Sequence, residues 1–361
     1  MFIVLLIISL SIFSVISIYN FFTAPQLKMK GFEISNQKLV SILVPARNEE
    51  ANIENCLKNI LLQDYANTEI IVLDDNSNDR TFEIASSYNK DKIKVINGDE
   101  LPENWLGKNW ACHQLSEASN GEYLLFIDAD VEIKRGAIST AIQQQRESNV
   151  GLLSVFPTQI MKTFGEYLIV PIMNWLLLTF LPLRFVFTSS NNLFVAANGQ
   201  FMLWKRETYF SIGGHEAVKN KVVEDMELAK LCKKNNLKIK TLLGSDLVYC
   251  NMYNSFKDAY SGFLKNFYAG FSINPLLFFI TILFLLLVFL LPFVVITISF
   301  YSFIPLILVL VTRIVVSIKS KQNWLINVFF HPVQMLLMFW IGIVSVIKFE
   351  TNQLVWKQRK L

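Results

Sequence analysis

Apolar positions along the chain fall into three regimes. Residues 2–22 (FIVLLIISLSIFSVISIYNFF) carry no charge and are long enough to cross a bilayer core of about 30 Å. Between roughly 30 and 270, short apolar runs alternate with helix-period stretches. LVSILVP (39–45) reads as a first buried strand, with a helix from Glu49 to about Gln63. EIIVLDD (69–75) is a second, with a helix from near Asp79, and KIKVIN (92–97) a third, with a helix from about Asn109. YLLFID (123–128) is a fourth, then a helix from about Arg135, then GLLSVF (151–156). From Phe271 the chain turns apolar again: 276–299 and 301–318 carry only Arg313 as a charge, and 325–347 carry none. Strands alternating with helices imply a parallel α/β sheet, in which ligands bind at the carboxyl ends of strands. That rim collects Arg47, Asn48, Asp74, Asp75, Lys108, Asp128 and Asp130.

Composition assigns the apolar excess. The chain is 53% hydrophobic with a mean hydropathy of +0.39, against about 45–50% apolar for soluble domains. The excess sits at the two ends, so the chain reads as an integral membrane protein. A transmembrane anchor is expected over 1–23, without a basic leader or cleavage site. A central domain follows over 30–270, then about three membrane segments over 271–348 and a basic tail, 349–361. Lys28, Lys30 and Lys38 follow the first span, which places the central domain on the cytoplasmic side of the cell (inner) membrane. Lys319 and Lys321 then also face the cytoplasm. The basic tail (Lys348, Lys357, Arg359, Lys360) conflicts with a fourth full crossing. Either the last apolar segment is interfacial or re-entrant, broken near His331-Pro332, or the charge rule fails here; both stay open. A net charge of +4 points to no nucleic-acid partner. Cys56, Cys112, Cys232 and Cys250 show no CxxC spacing and the three histidines lie far apart, so reduced thiols and no zinc site are expected.

The strand-end carboxylates ask for a chemistry. A dinucleotide site needs GxGxxG after the first strand, whereas PARNEE stands there without a glycine. Asp128 and Asp130, one residue apart at a strand end, can present oxygens to Mg2+ or Mn2+, which bind such groups together with substrate phosphates. Surface turns and helix caps also produce this spacing, so its meaning depends on what surrounds it.

Five segments in order resemble the family 2 glycosyltransferases, whose catalytic domain has the GT-A, Rossmann-like α/β fold that binds nucleotide-sugars. SILVPARNEE is similar to the first strand and nucleotide loop, and the resemblance implies donor contacts by Pro45, Arg47, Asn48 and Glu49. IVLDDNSNDRT resembles the second, with Asp75 expected to meet the base. FIDADV matches the metal motif, with Asp130 on the ion and Asp128 nearer the ribose or sharing it. NGQFMLWKRETYFSIGGH (198–215) is similar to the acceptor-side strand, helix and loop, placing Gly199, Gln200, Gly214 and His215 there. VVEDMELAKLCKKNN (222–236) carries the ED pair, Glu224 and Asp225.

A metal at the DxD can neutralise the diphosphate leaving group. Lys108, in WLGKNWAC, is a candidate second cation on the nucleotide; the alternative is a solvated lysine. Asp225 is the candidate general base for an acceptor hydroxyl, which implies inversion at the anomeric carbon. A charged first helix turn is the plainer reading of Glu224-Asp225, and it is compatible with that role.

The region AYSGFLKNFYAG (259–270) lacks the QxxRW of processive polysaccharide synthases, so one sugar per acceptor is expected, with Lys265 a candidate cation there. The segment 164–187, broken by Pro171 and Pro182, reads as interfacial helices beside the site, or as a buried hairpin. The expected acceptor is therefore an apolar lipid and the expected donor a UDP-sugar. WLGKNWACHQL, GLLSVFP and the tail VWKQR further resemble the bacterial carotenoid (diaponeurosporenoate-type) and hopanoid-associated members, although Gln358 stands where the tail pattern has glycine. Polyprenyl phosphate, diacylglycerol and ceramide-like acceptors remain alternatives, as does a non-catalytic membrane scaffold.

Overall fold

The computed structural model describes residues 2–29, 37–88, 93–295, 303–356 and 359–360. The chain divides into two compact units, one of residues 25–160 and 186–252, the other of 1–24, 161–185 and 253–361. Residues 161–185 and 253–270, expected within the central domain, thus group with the apolar helices.

The first unit is an α/β domain. Its main sheet uses β1 (Val40–Ala46), β2 (Thr68–Asp74), β3 (Ile93–Asn97) and β4 (Tyr123–Ile127), and a second sheet begins with β5 (Val131–Ile133). Then come β6 (Leu152–Phe156), β7 (Thr158–Gln159), β8 (Phe201–Lys205), β9 (Ile239–Leu243) and β10 (Val248–Cys250). The seven-stranded sheet runs β3-β2-β1-β4-β8-β6-β9, and a small sheet runs β5-β10-β7. All five residues of β4 are buried, as befits a strand covered on both faces. The helix Ile53–Leu61 lays Ile53, Cys56, Leu57 and Ile60 on the sheet, a helical-period stripe.

Two features differ from the sequence reading. The sheet is mixed: β8 lies antiparallel between β4 and β6. The chain leaves the domain after β7 and returns through 186–200, so no crossover helix carries it back in parallel. The first helix starts at Ile53 rather than Glu49, because Asn48 takes a left-handed conformation (φ 51°) that ends the extended run in a turn.

The second unit is helical. Among the described residues, three helices are long and apolar enough to cross a membrane: Ile3–Thr23, Pro275–Val295 and His331–Glu350. The helix Phe303–Lys319 has 17 residues; the expected spans 276–299 and 301–318 meet at 296–302, outside the described residues, as do Lys30, Lys357 and Gln358. The last apolar segment is broken: the helix Trp324–Phe329 ends at Phe330, and a new helix starts at His331 with Pro332 in its first turn, where the missing N–H costs nothing. Neutral polar pairs stitch the helices, with Ser14 Oγ 2.9 Å from Thr312 Oγ1 and Asn20 donating to the carbonyls of Leu178 and Leu181 at 2.9 and 2.7 Å. In the tail, Val355–Trp356 pairs antiparallel with Arg359–Lys360.

Candidate active site

The site forms where the sheet order reverses around β1, at the carboxyl ends of β1, β2 and β4. Two loops are sewn together there. Arg47 Nη1 donates to the carbonyls of Asp75 (2.6 Å) and Asn76 (3.2 Å). Asn48 N–H donates to Ser77 Oγ (3.0 Å), Asn48 Oδ1 accepts from Asn78 N–H (2.8 Å), and Glu49 N–H donates to Thr81 Oγ1 (2.7 Å). Pro45 sits beyond the paired stretch of β1 and β4, which ends at Leu43–Phe126, so its missing N–H breaks no bond to β4. Asp74 and Asp75 are both 5% exposed; Asp74 Oδ2 accepts from Ser77 N–H (3.1 Å) and holds the loop on which Asp75 stands.

Next to this rim, β4 ends in a tight turn. Val131 N–H closes on the carbonyl of Asp128 (3.1 Å), Asp128 N–H donates to the carbonyl of Gln200 (3.1 Å), and Asn251 N–H donates to the carbonyl of Asp130 (3.2 Å). The Asp128–Asp130 turn is therefore a backbone-fixed corner between the two sheets.

Lys108 links this corner to the ED pair. Its Nζ lies 2.8 Å from Asp128 Oδ2 and 3.2 Å from Glu224 Oε1. Burial works against the ammonium, but Asp128 and Glu224 outweigh it and hold Lys108 charged well above the usual lysine range. Burial raises the Asp128 carboxyl despite the Lys108 charge that opposes it. Asp225 starts the helix Glu224–Lys234; its Oδ2 accepts from Gly199 N–H (2.8 Å) and its Oδ1 from Met226 N–H (2.7 Å). Burial, then the charge of Glu224, push its carboxyl up to about 7, against Lys108 and the two N–H donors. Gly199 stands in the middle: a Cβ there would meet Glu224 Oε1 and Lys108 Nζ, both at 3.1 Å, and Asp225 Cβ at 3.6 Å. The end of β4, the start of β8 and the starts of two helices, Gly107–Glu117 and Glu224–Lys234, thus converge on a half-buried cation flanked by acids, with a carboxyl poised to exchange a proton near neutrality.

Residues 41–205 match the family described as Glycosyl transferase family 2. This stretch is a family 2 glycosyltransferase domain. A 4,4'-diaponeurosporenoate glycosyltransferase of Staphylococcus aureus (strain USA300) is 31% identical over 249 residues, covering 68% of this chain and 64% of that protein. The chain therefore spans a little under two thirds of the length of that relative. The glycosyltransferase domain and its helices are also similar in fold to a mannosyltransferase from Pyrobaculum calidifontis, solved with GDP-Man and Mn2+. Identity there is 14% and the TM-score 0.55, over 96% of this chain and 98% of that one.

Other expected site residues are held inside the fold. His215 is 2% exposed, with Nδ1 2.7 Å from Tyr209 Oη and its ring against Phe126; burial lowers its pKa to about 3 and keeps it neutral. Gly214 has a positive φ of 51°, and a Cβ there would meet the Tyr209 ring at 2.5 Å. Both residues thus pack against Tyr209 in the interior of the domain. Gln200 is 3% exposed, with Nε2 donating to Cys250 Sγ (2.8 Å). Lys265 is half-buried on the helix Phe256–Phe271 of the helical unit.

The sequence reading missed Asn251. Its Oδ1, like Gln200 Oε1, is buried without a hydrogen-bond partner, beside the DxD corner that its N–H braces. No signal in the segment CNMY marks it. Among the described residues no three His, Cys, Asp or Glu side chains group as a metal site. The donor set at the corner is instead carboxylate and amide oxygen, which fits a hard divalent cation. All four cysteines are buried and free.

Proposed function

We propose that this chain transfers a single hexose from a nucleotide-sugar, a UDP-hexose, to an apolar membrane lipid of isoprenoid, carotenoid-like character, with inversion at the anomeric carbon. The observation that carries the reading is Asp225, a carboxyl near neutrality held by Gly199 N–H beside the Lys108–Asp128 pair. The carotenoid-type relative supports the isoprenoid chain of the acceptor and not its hydroxyl, because the acceptor in that protein's name is a carboxylate.

In this reading the acceptor oxygen attacks the anomeric carbon from the face opposite the diphosphate. Asp225 takes the hydroxyl proton as the new bond forms, and the bond to the diphosphate oxygen breaks, releasing a nucleoside diphosphate. The fixed Gly199 N–H aims the carboxylate. Arg47, Asn48 and Glu49 fix the nucleotide loop from one side, and Asp75 stands where the base is expected. Asp130 and Asp128 would hold a Mg2+ or Mn2+, which supplies charge neutralisation for the departing diphosphate. Lys108 keeps Asp128 and Glu224 in place and provides a second cation within the site.

The three apolar helices support residence in the cell membrane. The lysines after the first helix favour a cytoplasmic catalytic domain.

The test is incubation of membranes carrying the protein with radiolabelled UDP-glucose or GDP-mannose, Mn2+ and the extracted lipids. The expected product is a neutral glycolipid with one sugar, formed from the UDP donor and absent with Asp225→Asn. A labelled polyprenyl phosphate sugar, or a product that persists in Asp225→Asn, would overturn the hydroxyl-lipid reading, because an acceptor that is already an anion needs no base.

A further inference from the structure

Among the described residues, the helical unit contains one fully buried cation, Arg313, 1% exposed in the helix Phe303–Lys319. A guanidinium taken out of water is costly unless a counter-charge offsets it. Its partners are neutral: Nε donates to the carbonyl of Asn327 (3.3 Å) and Nη2 to Gln334 Oε1, while Nη1 is buried with no partner. The only side-chain carboxylates of this unit are Glu166, Asp258 and Glu350. Glu166 closes a capping box with Thr163, Asp258 bonds Ser255, and Glu350 bonds Tyr268. None of them forms an ion pair with Arg313 among the described residues.

The guanidinium is held firmly. Gln334 Nε2 donates to the carbonyl of Tyr167 (2.8 Å) and to Asn327 Oδ1 (3.2 Å), and Asn327 Nδ2 donates to Ser317 Oγ (2.9 Å) and Gln322 Oε1 (3.1 Å). One turn before Gln334, on the same helix face, stands His331, whose ring lies 6.1 Å from Trp175 and from Phe289 and 5.9 Å from Phe293. Trp175 is fully buried, and its Nε1–H also lacks a partner. A structural clamp across the broken helix accounts for Nε and Nη2. It does not account for an unmatched positive charge, a spare Nη1–H and a second spare donor among aromatic rings. The other polar contacts between helices of this unit are neutral pairs such as Ser14–Thr312, or involve charged groups that keep some exposure, as Lys319 on the Phe21 carbonyl and Glu350 on Tyr268 do. An ionisable group inside apolar helices marks a functional site by its cost alone.

We propose that Arg313, together with His331 one turn before its partner Gln334 and the Trp175 ring that packs on His331, binds the oxyanion head of an apolar-chained amphiphile, a carboxylate or a phosphate monoester. The head neutralises the guanidinium and supplies acceptors for the spare donors, and the aromatic rings pack against the start of the chain. This holds whether or not the amphiphile is the sugar acceptor, so it stands independently of the function proposed above.

The test uses the full chain in phosphatidylcholine nanodiscs and a fluorescent polyene fatty acid, cis-parinaric acid, beside its methyl ester. The acid is expected to bind about tenfold or more tightly than the ester, the scale of a charge-assisted hydrogen bond. Arg313→Gln removes that preference, Arg313→Lys keeps part of it, and Trp175→Phe weakens binding of the acid more than of the ester. Farnesyl phosphate as competitor reports the preferred head: displacement at lower concentration than a long-chain fatty acid assigns the site to phosphate, the reverse to carboxylate. Equal binding of acid and ester to the unmodified protein overturns the proposal, and that comparison needs no variant to fold. A preference that survives Arg313→Gln in a protein with an unchanged melting curve overturns it as well.

Discussion

Lys108 Nζ lies 2.8 Å from Asp128 Oδ2, and this contact ties the end of β4 to the helix that starts at Glu224. Lys108→Met removes the cation that faces both acids and leaves two carboxylates in partly dry surroundings. The expected result is a loss of kcat/KM on the order of 10²-fold or more, with weaker donor binding by calorimetry. Lys108→Arg recovers part of it. An unchanged kcat/KM in Lys108→Met would make the pair structural only.

As the proposed general base, Asp225 is expected to set the pH dependence. A general base must be ionised, so kcat/KM is expected to rise with pH and level off above about 7. Glu224→Gln takes away the like charge that raises Asp225, so the acid limb moves to lower pH; an unmoved limb would assign it to another group. Asp225→Asn should lower kcat by about 10²–10⁴-fold while donor binding stays near normal. The same shift has a stability sign. Because folding favours the neutral carboxyl, the stabilisation is complete at low pH and is lost as pH rises from the usual carboxylate value through about 7.

Asp130→Asn should weaken Mn2+ binding in the presence of UDP, read by electron paramagnetic resonance of the free ion. The melting temperature should change little, because the turn is held by backbone bonds from Val131, Gln200 and Asn251. Asn251→Ala should weaken Mn2+ binding to a smaller extent. Unchanged Mn2+ affinity in Asp130→Asn would remove that residue from the metal site.

Gly214→Ala separates fold from acceptor contact. The new methyl meets the Tyr209 ring at 2.5 Å in a left-handed backbone, so a destabilisation of about 2–4 kcal/mol is expected from overpacking and strain. Thermal unfolding measures it. A variant of normal stability with a raised KM for lipid would instead put Gly214 at the acceptor.

Topology can be read with one thiol. The four native cysteines are buried, so Glu103→Cys, at an exposed loop position, offers a clean label. Reaction with a membrane-impermeant maleimide only after the membrane is opened from the cytoplasmic side is expected; reaction in intact cells would reverse the orientation.

The strands β1 to β4 and β6 stood in the sequence within a residue or two: β1, β2, β4 and β6 are apolar runs largely buried on both faces, and the edge strand β3 shows apolar positions interrupted by the exposed Lys94 and Asn97. The carboxylates at the end of β4 and the acids opening the helix at Glu224 were equally plain, since both sit at the edge of an apolar or helical pattern. Strand direction was not: FMLW carries no sign of which way it runs, and β8 reverses only because the chain leaves the domain before it. The break at Phe330 was suggested by His331-Pro332, but its site and helix boundaries came from the fold. Contacts between residues far apart in the chain were out of reach, among them Lys108 with Glu224, Gly199 with Asp225, and Arg313 with Gln334. The sequence determined which stretches must be buried, because transfer from water depends on the residue itself. Only the tertiary structure decided which charges share a dry site, because an electrostatic interaction depends on distance and surroundings that no single segment contains.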